Sequence, residues 1–173
     1  MTKSFAVKTK SKSQEIEMRF YKAPHDYDAA MLSGVIIYVF DAQDRVLTMK
    51  DKKSFRILSG LVEWDDDTIE DTVRREALEQ ARIILGPVTV AAVVETTLED
   101  QIGKKPVVTL VVTGRAKAIE PYPAQQKDRR VFLAKPDFLT RCADGNIESQ
   151  PKLLEMVEAA LAKAGKSHSG VLQ

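Results

Sequence analysis

Apolar and polar positions along the chain form several short β-like runs and one clear helical repeat. Residues 35–40 are a continuous apolar run after Gly34, and the polar segment 41–44 separates this run from the mainly apolar 45–49. Two apolar runs joined by turn residues are typical of a β-hairpin. Further β-branched runs predict three more strands, at 88–94, 107–113 and 130–134.

A helix is predicted over residues 68–81, where no glycine or proline intervenes and apolar residues recur every four positions at Ile69, Val73, Ala77 and Ala81. Either Asp67 or Thr68 is predicted to cap its start. Acidic residues follow three positions later, which is the spacing of a capping box and places negative charge at the positive end of the helix.

A second helix is predicted from Ser149, with Pro151 in its first turn and Gly165 beyond its end, and a short helical turn is predicted after Pro136. The order of strands and helices indicates an α/β sandwich in which helices cover a mixed sheet.

The positions of glycine, proline and lysine predict the conformation of the segments between and before these elements. Gly86-Pro87 is predicted to end the connection into the strand at 88–94, and residues 115–127 are predicted to be a surface loop. The first 12 residues contain four lysines and no acidic residue, which favours a solvated basic arm.

Composition limits the class of protein. The chain has 173 residues and a formal net charge of +1, so one domain is expected and no strong field favours a nucleic acid or an anionic membrane. The longest apolar run is far shorter than the roughly 18 residues of a membrane span. The single cysteine, Cys142, excludes an internal disulfide, favours a reducing compartment such as the cytoplasm, and is expected to be a small buried residue.

The clearest candidate for chemistry is a group of acidic residues between Glu63 and Glu79. Such a group either starts a solvated helix or holds a cation such as Mg²⁺ or Mn²⁺. The helical register separates these alternatives, because Glu76 and Gln80 fall beside the apolar stripe. A carboxylate there needs a metal, a hydrogen-bond donor or a positive charge, so Glu76 is the better functional candidate. Glu79 lies on the neighbouring flank, where Arg75 is placed to orient it.

These acidic residues lie within a sequence that resembles the motif of the Nudix hydrolases. Residues 58–63 (LSGLVE) resemble the Leu-Pro-Gly-Gly approach to the motif, and residues 75–83 (REALEQARI) follow its Arg-Glu and Glu-Glu register, with Asp67 at an earlier acidic position. Gln80 stands where the motif has the second Glu of its pair, and Leu61 and Arg82 stand where it has glycines.

The resemblance implies a Nudix-like α/β/α sandwich with a mixed β-sheet over residues 34–165. Residues 1–33 are then an N-terminal extension, as an added strand or an arm, and residues 166–173 a C-terminal tail. The implied activity is hydrolysis of a diphosphate linkage in a nucleotide or nucleoside diphosphate derivative with Mg²⁺ or Mn²⁺. A homodimer is compatible with this interpretation.

The resemblance also implies roles for particular residues. Glu76 and Glu79 are expected to hold the metal, Arg75 to orient the carboxylates, and the remaining metal candidates are Asp67, Glu63, Gln80 and Gly60. Gly60 is expected to supply a tight turn and a close backbone approach. An additional acid is expected from outside the motif, for which the candidates are Glu95 and Glu99.

Two alternatives remain open on the sequence. The changes at Leu61, Gln80 and Arg82 favour a catalytically impaired Nudix-fold module that binds a nucleotide or a protein. An unrelated α/β domain with a solvated acidic face would share the acidic group alone. Trp64, beside the acids, is expected either to stack on a base or, more commonly for a tryptophan at a turn, to pack against the protein.

Overall fold

A computed structural model describes residues 3–101, 103–142 and 149–171, with side chains up to residue 165. Within these residues, nine strands form one sheet. The strands are β1 (Ser4–Ser11), β2 (Gln14–Lys22), β3 (Leu32–Phe40), β4 (Val46–Asp51), β5 (Ser54–Arg56), β6 (Leu58–Leu61), β7 (Ile83–Leu98), β8 (Val107–Ile119) and β9 (Arg130–Leu133). The helices are α1 (Ile69–Ala81), α2 (Lys135–Arg141) and α3 (Gln150–Val171).

The sheet is mixed. Its strands follow the order β1-β2-β7-β8-β3-β4-β5, while β6 pairs with β3 and β9 pairs with β4. The pairing of β3 with β8 is parallel and the other ladders are antiparallel. In the predicted hairpin, β3 and β4 share a single residue pair, Phe40 with Val46. Most residues of β3 pair with β8 and β6 instead.

Two hydrophobic clusters cover the two faces of the sheet. On one face, Val73, Ala77 and Ala81 of α1 pack on inward-facing residues of β3 and β8. On the other face, Phe138 of α2 and Leu154 of α3 pack with the opposite side chains of the same strands. The predicted α/β/α sandwich is confirmed. Cys142 is half-buried against the second of these clusters.

The N-terminal residues form a β-hairpin and not a solvated arm. Strand β1 pairs with β2, and β2 pairs with β7, so the hairpin extends the sheet at its edge. Alternation explains the difference, because Val7 and Phe20 are buried while the lysines between them point outward. The basic pattern described only the outer face of these strands.

Several predicted boundaries are also corrected. Strand β7 begins at Ile83, directly after α1, and runs through Gly86-Pro87 with shifts of register there, so this pair does not precede the strand. Strand β8 continues to Ile119, into the segment predicted to be a loop. Helix α3 continues past Gly165 to Val171, so much of the predicted tail is helical, and residues 172–173 lie outside the described residues. Strands β5 and β6 were not predicted.

In the described part of the chain, no helix is both long enough and apolar enough to cross a membrane.

Candidate active site

Helix α1 carries the central residues of the site, and both of its ends are fixed. Thr68 caps the start by accepting a hydrogen bond from the Asp71 amide, while the Asp71 carboxylate accepts one from the Thr68 amide. At the other end Arg82 adopts a left-handed conformation with φ of 54°. Since Val73 and Ala77 are buried against the sheet, Glu76 is held at the edge of the buried face.

Glycine is required where β6 passes under this helix. A Cβ atom on Gly60 would overlap the carboxyl group of Glu76. Beneath it, a Cβ atom on Gly34 would lie 2.6 Å from the Gly60 carbonyl oxygen. Two neighbouring strands therefore lack side chains at this point, and the Glu76 carboxyl group lies directly on the backbone of β6. Gly60 is thus closely approached by Glu76, but it lies within strand β6 and not in the tight turn that the sequence predicts for it.

Arg75 is the centre of the charged network. Its Nη1 atom lies 2.9 Å from Glu76 Oε1, 3.3 Å from Glu63 Oε1 and 3.6 Å from Glu79 Oε2. Its Nη2 atom donates to Asp66 Oδ2 at 2.8 Å and to the Leu61 carbonyl at 3.1 Å. Hydrogen bonding to Asp66 foremost, and then the contacts with Glu76 and Glu63, raise the pKa of Arg75 above its already high ordinary value. One guanidinium thus orients four carboxylates.

Asp66 is the member of this network that the sequence pattern did not single out. Its side chain is only 5% exposed and accepts hydrogen bonds from Arg75, from the Glu63 amide and from the Thr72 hydroxyl. These donors, led by the Arg75 guanidinium, hold the pKa of Asp66 well below its usual range. Asp67, the residue in the motif register, is exposed. The turn 63–66 brings the preceding carboxylate to Arg75 instead.

Gln80 lies one helical turn beyond Glu76 and links Glu76 to strand β6. Its Nε2 atom donates to the Ser59 carbonyl at 2.7 Å and to Glu76 Oε2 at 2.5 Å. Glu76 therefore has one oxygen bonded to Arg75 and the other bonded to Gln80. The amide acts as a hydrogen-bond donor between two acceptors, a position where a second carboxylate would be repelled.

The remaining predicted acids divide into two groups. Glu63 and Glu79 lie beside Arg75 with side chains 54% and 62% exposed, so both are open to solvent. Glu95 and Glu99 instead lie along the N-terminal hairpin: Glu95 is 4.0 Å from His25, and Glu99 accepts a hydrogen bond from the Glu15 amide. The structure does not bring these two residues to the Arg75 network.

As placed, the side chains do not fit a resident divalent ion. Both oxygens of Glu76 already accept hydrogen bonds, and the amide group of Gln80 directs a donor and not an acceptor toward them. Among residues 3–101, 103–142 and 149–165, no group of three or more His, Cys, Asp and Glu side chains is arranged to hold a metal. The carboxylates converge on Arg75, which is the cation of this cluster.

Trp64 stands at the rim of the cluster, between Glu63 and Asp66. A tryptophan at a turn more commonly packs against the protein. Trp64 does not, since the residue is 97% exposed. Leu61, at the end of β6, is also exposed.

The structure therefore places Glu76 of α1 against the Gly60 backbone of β6, between Arg75 and Gln80. The sequence matches the NUDIX domain family over residues 31–143, and the chain therefore belongs to the Nudix hydrolase family. A search of curated proteins finds no significant match.

Solved structures agree with this fold. A pyrophosphohydrolase of Bacillus subtilis is similar with a TM-score of 0.61 and 13% identity, over 88% of this chain and 96% of that one. A NUDIX hydrolase of Nitrosomonas europaea gives a TM-score of 0.55 and 13% identity, over 74% and 88%. The NUDIX domain of Shewanella oneidensis NrtR, complexed with ADP ribose, gives 0.53 and 18%, over 79% and 94%.

Proposed function

We propose that this protein hydrolyses a diphosphate linkage in a nucleotide or nucleoside diphosphate derivative, which it takes up as a complex with Mg²⁺ or Mn²⁺. The observation that carries the proposal is the buried Glu76, held in the register of the family motif between Arg75 and Gln80. The fold holds this carboxylate at the edge of the buried face of α1 and gives each of its oxygens a donor, which makes Glu76 the candidate catalytic group.

The charge of the cluster explains why a cation would accompany the substrate. Four carboxylates surround one guanidinium, which leaves an excess of three negative charges. One unit charge facing another at 4 Å contributes about 4 kcal/mol at an effective dielectric constant of 20, so a bare diphosphate would be repelled. A diphosphate that arrives with a divalent cation presents positive charge to the cluster, and the repulsion becomes attraction.

Within this proposal the exposed carboxylates of Glu79 and Glu63 would hold the cation that accompanies the substrate, and that cation would polarise the phosphoryl oxygens. Glu76 accepts a hydrogen bond from the attacking water and orients it toward phosphorus. Arg75 is a positioning residue, because its own contacts are to the carboxylates. Asp67 remains a candidate for assisting from the exposed side of the turn.

The names of similar structures support the substrate class. One is called a pyrophosphohydrolase and another contains ADP ribose, a nucleoside diphosphate derivative. We also infer a cytoplasmic location, because a chain with one cysteine suits a reducing compartment.

Turnover tests the proposal. Nucleoside triphosphates, nucleotide sugars and dinucleoside polyphosphates are incubated with the protein and Mg²⁺ or Mn²⁺, and release of the cleaved products is measured. At least one substrate should be cleaved, and Glu76→Gln should lower its rate by about a hundredfold or more. The matched control is Glu70→Gln, which removes an exposed carboxylate from the same helix, where it pairs with Arg74. Equal rates for both variants would remove Glu76 from the reaction.

A second candidate is the binding module without catalysis. The observation that favours it is the hydrogen bond from Gln80 to Glu76, which places a donor where the motif has a second carboxylate. Tight nucleotide binding without turnover of any substrate in the panel, both in the wild type and in Gln80→Glu, would establish this candidate and overturn the hydrolase.

A further inference from the structure

Trp64 is an unusual residue to find in solvent. It is the only tryptophan in the chain, and it is 97% exposed. Tryptophan is highly buried on average, since it has the largest apolar surface of any side chain. Full exposure therefore leaves a large flat surface without a protein partner to cover it.

The turn that carries Trp64 is fixed at both of its ends. The Asp66 amide donates to the Glu63 carbonyl at 3.1 Å, and the Glu63 amide donates to Asp66 Oδ2 at 2.9 Å. The side chains of these same two residues bind Arg75, at 3.3 Å for Glu63 and 2.8 Å for Asp66. The indole therefore projects from an ordered turn at the rim of the Arg75 network, and little backbone entropy would be lost when a ligand covers it.

We infer that Trp64 supplies the stacking surface for the base of the nucleotide, an inference that rests on the proposed function. Beside the indole, Asp65 is an exposed carboxylate that no ion pair with Arg75 neutralises, so an uncharged ring suits this position better than a phosphate. Any base has a π-face that can stack on an indole, and purines offer the larger area. The diphosphate then extends from the base toward the carboxylates of α1.

The single tryptophan makes the contact directly measurable. Fluorescence of the wild-type protein is followed as adenosine diphosphate or inorganic pyrophosphate is added, each with Mg²⁺. Adenosine diphosphate should quench the emission of Trp64 in a saturable way, because its base lies on the indole. Pyrophosphate, which has no base, should bind without a comparable change.

Substitution separates stacking from general binding. The dissociation constants of both ligands are measured by calorimetry for the wild type, Trp64→Ala and Trp64→Phe. Loss of one base-aromatic stack corresponds to about 5- to 150-fold weaker binding. Trp64→Ala should weaken adenosine diphosphate by this factor and leave pyrophosphate unchanged, while Trp64→Phe should restore most of the affinity. Thermal midpoints should be equal, because the side chain is exposed.

Each other outcome is distinct. If Trp64→Ala binds adenosine diphosphate as tightly as the wild type does, or weakens both ligands equally, the stacking role is overturned while hydrolysis can still be measured. If the stacking pattern is found but no substrate is cleaved, the hydrolase fails and the role of Trp64 stands. If neither ligand binds, the stacking role is overturned, whereas the hydrolase is overturned only if no substrate of the turnover panel is cleaved.

Discussion

At the scale of single residues, the site is defined by where Gln80 directs its amide group. The Nε2 atom bridges the Ser59 carbonyl and Glu76 Oε2, and Arg75 holds the other oxygen of Glu76. Two donors thus stabilise a carboxylate that is only 9% exposed. A buried carboxylate needs hydrogen-bond or charged partners. Arg75 and Gln80 supply those partners to Glu76 without a metal ion.

Gln80→Glu should convert this arrangement into a metal site. The substitution replaces a donor by an oxygen that faces Glu76 and the Ser59 carbonyl, so the metal-free variant should lose about 1–3 kcal/mol of stability. Three oxygens that repel one another suit a divalent cation. Added Mn²⁺ should then stabilise the variant by about 2.7 kcal/mol at a concentration of about 100 times its Kd. Thermal unfolding with and without Mn²⁺ measures both effects.

Gln80→Ala is the control for this prediction, since it removes the donor and adds no charge. It should be destabilised without gaining a response to Mn²⁺. If Mn²⁺ stabilises the wild type as strongly as it stabilises Gln80→Glu, the site already accepts a resident ion, and the conclusion that the side chains around Glu76 do not fit one is wrong.

Asp66 predicts a pH dependence of stability. Arg75 and the other donors lower the pKa of Asp66 in the folded protein, whereas the unfolded value is about 3.9. The stability that this carboxylate contributes is therefore fully present above about pH 4 to 5 and is lost as the pH falls toward the folded pKa. The difference in unfolding free energy between wild type and Asp66→Asn, measured with urea, should be constant near neutral pH and shrink below about pH 4.

Asp67→Asn is the matched change, because it removes an exposed carboxylate from the next position. An equal loss with the same pH trend in this variant would contradict the assignment of the Arg75 contact to Asp66. The comparison also shows whether the carboxylate that contacts Arg75 is Asp66 or Asp67, the residue in the motif register.

The sequence singled out Glu76 and Arg75, which the structure places in contact, but it did not single out Asp66, and the reason is geometric. Helical periodicity fixes which face a residue occupies, so the position of Glu76 followed from the apolar stripe. The turn 63–66 has no such period, and its conformation depends on the hydrogen bonds between Glu63 and Asp66. Motif spacing pointed to Asp67, while the folded turn presents its neighbour. The donor role of Gln80 likewise depends on the Ser59 carbonyl, which the sequence could not place.

At the scale of elements, α1 is held at its C-terminus by a segment that follows β8. The Tyr122 hydroxyl donates to the Gln80 carbonyl at 2.5 Å, and Arg130 donates to the Ala81 carbonyl at 3.2 Å. The Arg130 guanidinium also lies 4.7 Å from the centre of the Tyr122 ring. The last carbonyls of a helix lack partners within the helix, and these side chains supply them.

Tyr122→Phe tests this connection. The variant keeps the ring under Arg130 and removes the hydroxyl donor, so the unfolding free energy should fall by about 0.5–1.5 kcal/mol. Amide exchange in the last turn of α1 should become faster, because its carbonyl groups lose a partner. Tyr27→Phe, at an exposed position, is the control. Equal unfolding free energies and equal exchange in both variants would show that Tyr122 does not hold the helix.

The sequence predicts helix α1 itself, but it does not predict the side chains that bind the C-terminus of the helix. The start of α1 follows from capping residues close in sequence, and the structure has Thr68 as the cap. Its C-terminal support comes from residues about 40 positions away in the chain, so local pattern carries no information on it. The same limit explains β7, where partners on β8 tolerate Gly86-Pro87 inside one strand at a shift of register.

At the scale of the whole molecule, the N-terminal hairpin is joined to the core. Phe20 is 6% exposed, and its ring stacks on Phe5 with centres 4.6 Å apart. The strand that carries Phe20 pairs with β7 along residues 92–98. The lysine-rich pattern concealed these contacts, because a strand at the edge of a sheet can be basic outside and apolar inside.

Phe20→Ala decides whether the hairpin is part of one cooperative unit with the Nudix-like core. Truncation of a buried phenylalanine costs about 3–5 kcal/mol, and if β1 and β2 fold together with residues 34–165 this loss should shift a single unfolding transition in urea. Phe5→Ala, at a half-buried position, should shift the same transition by less. A hairpin that folds apart from the core would instead leave the main transition in place, and the domain would then begin near Gly34 as the sequence predicts. The size of the shift therefore measures how much of the stability of the Nudix fold depends on the N-terminal hairpin.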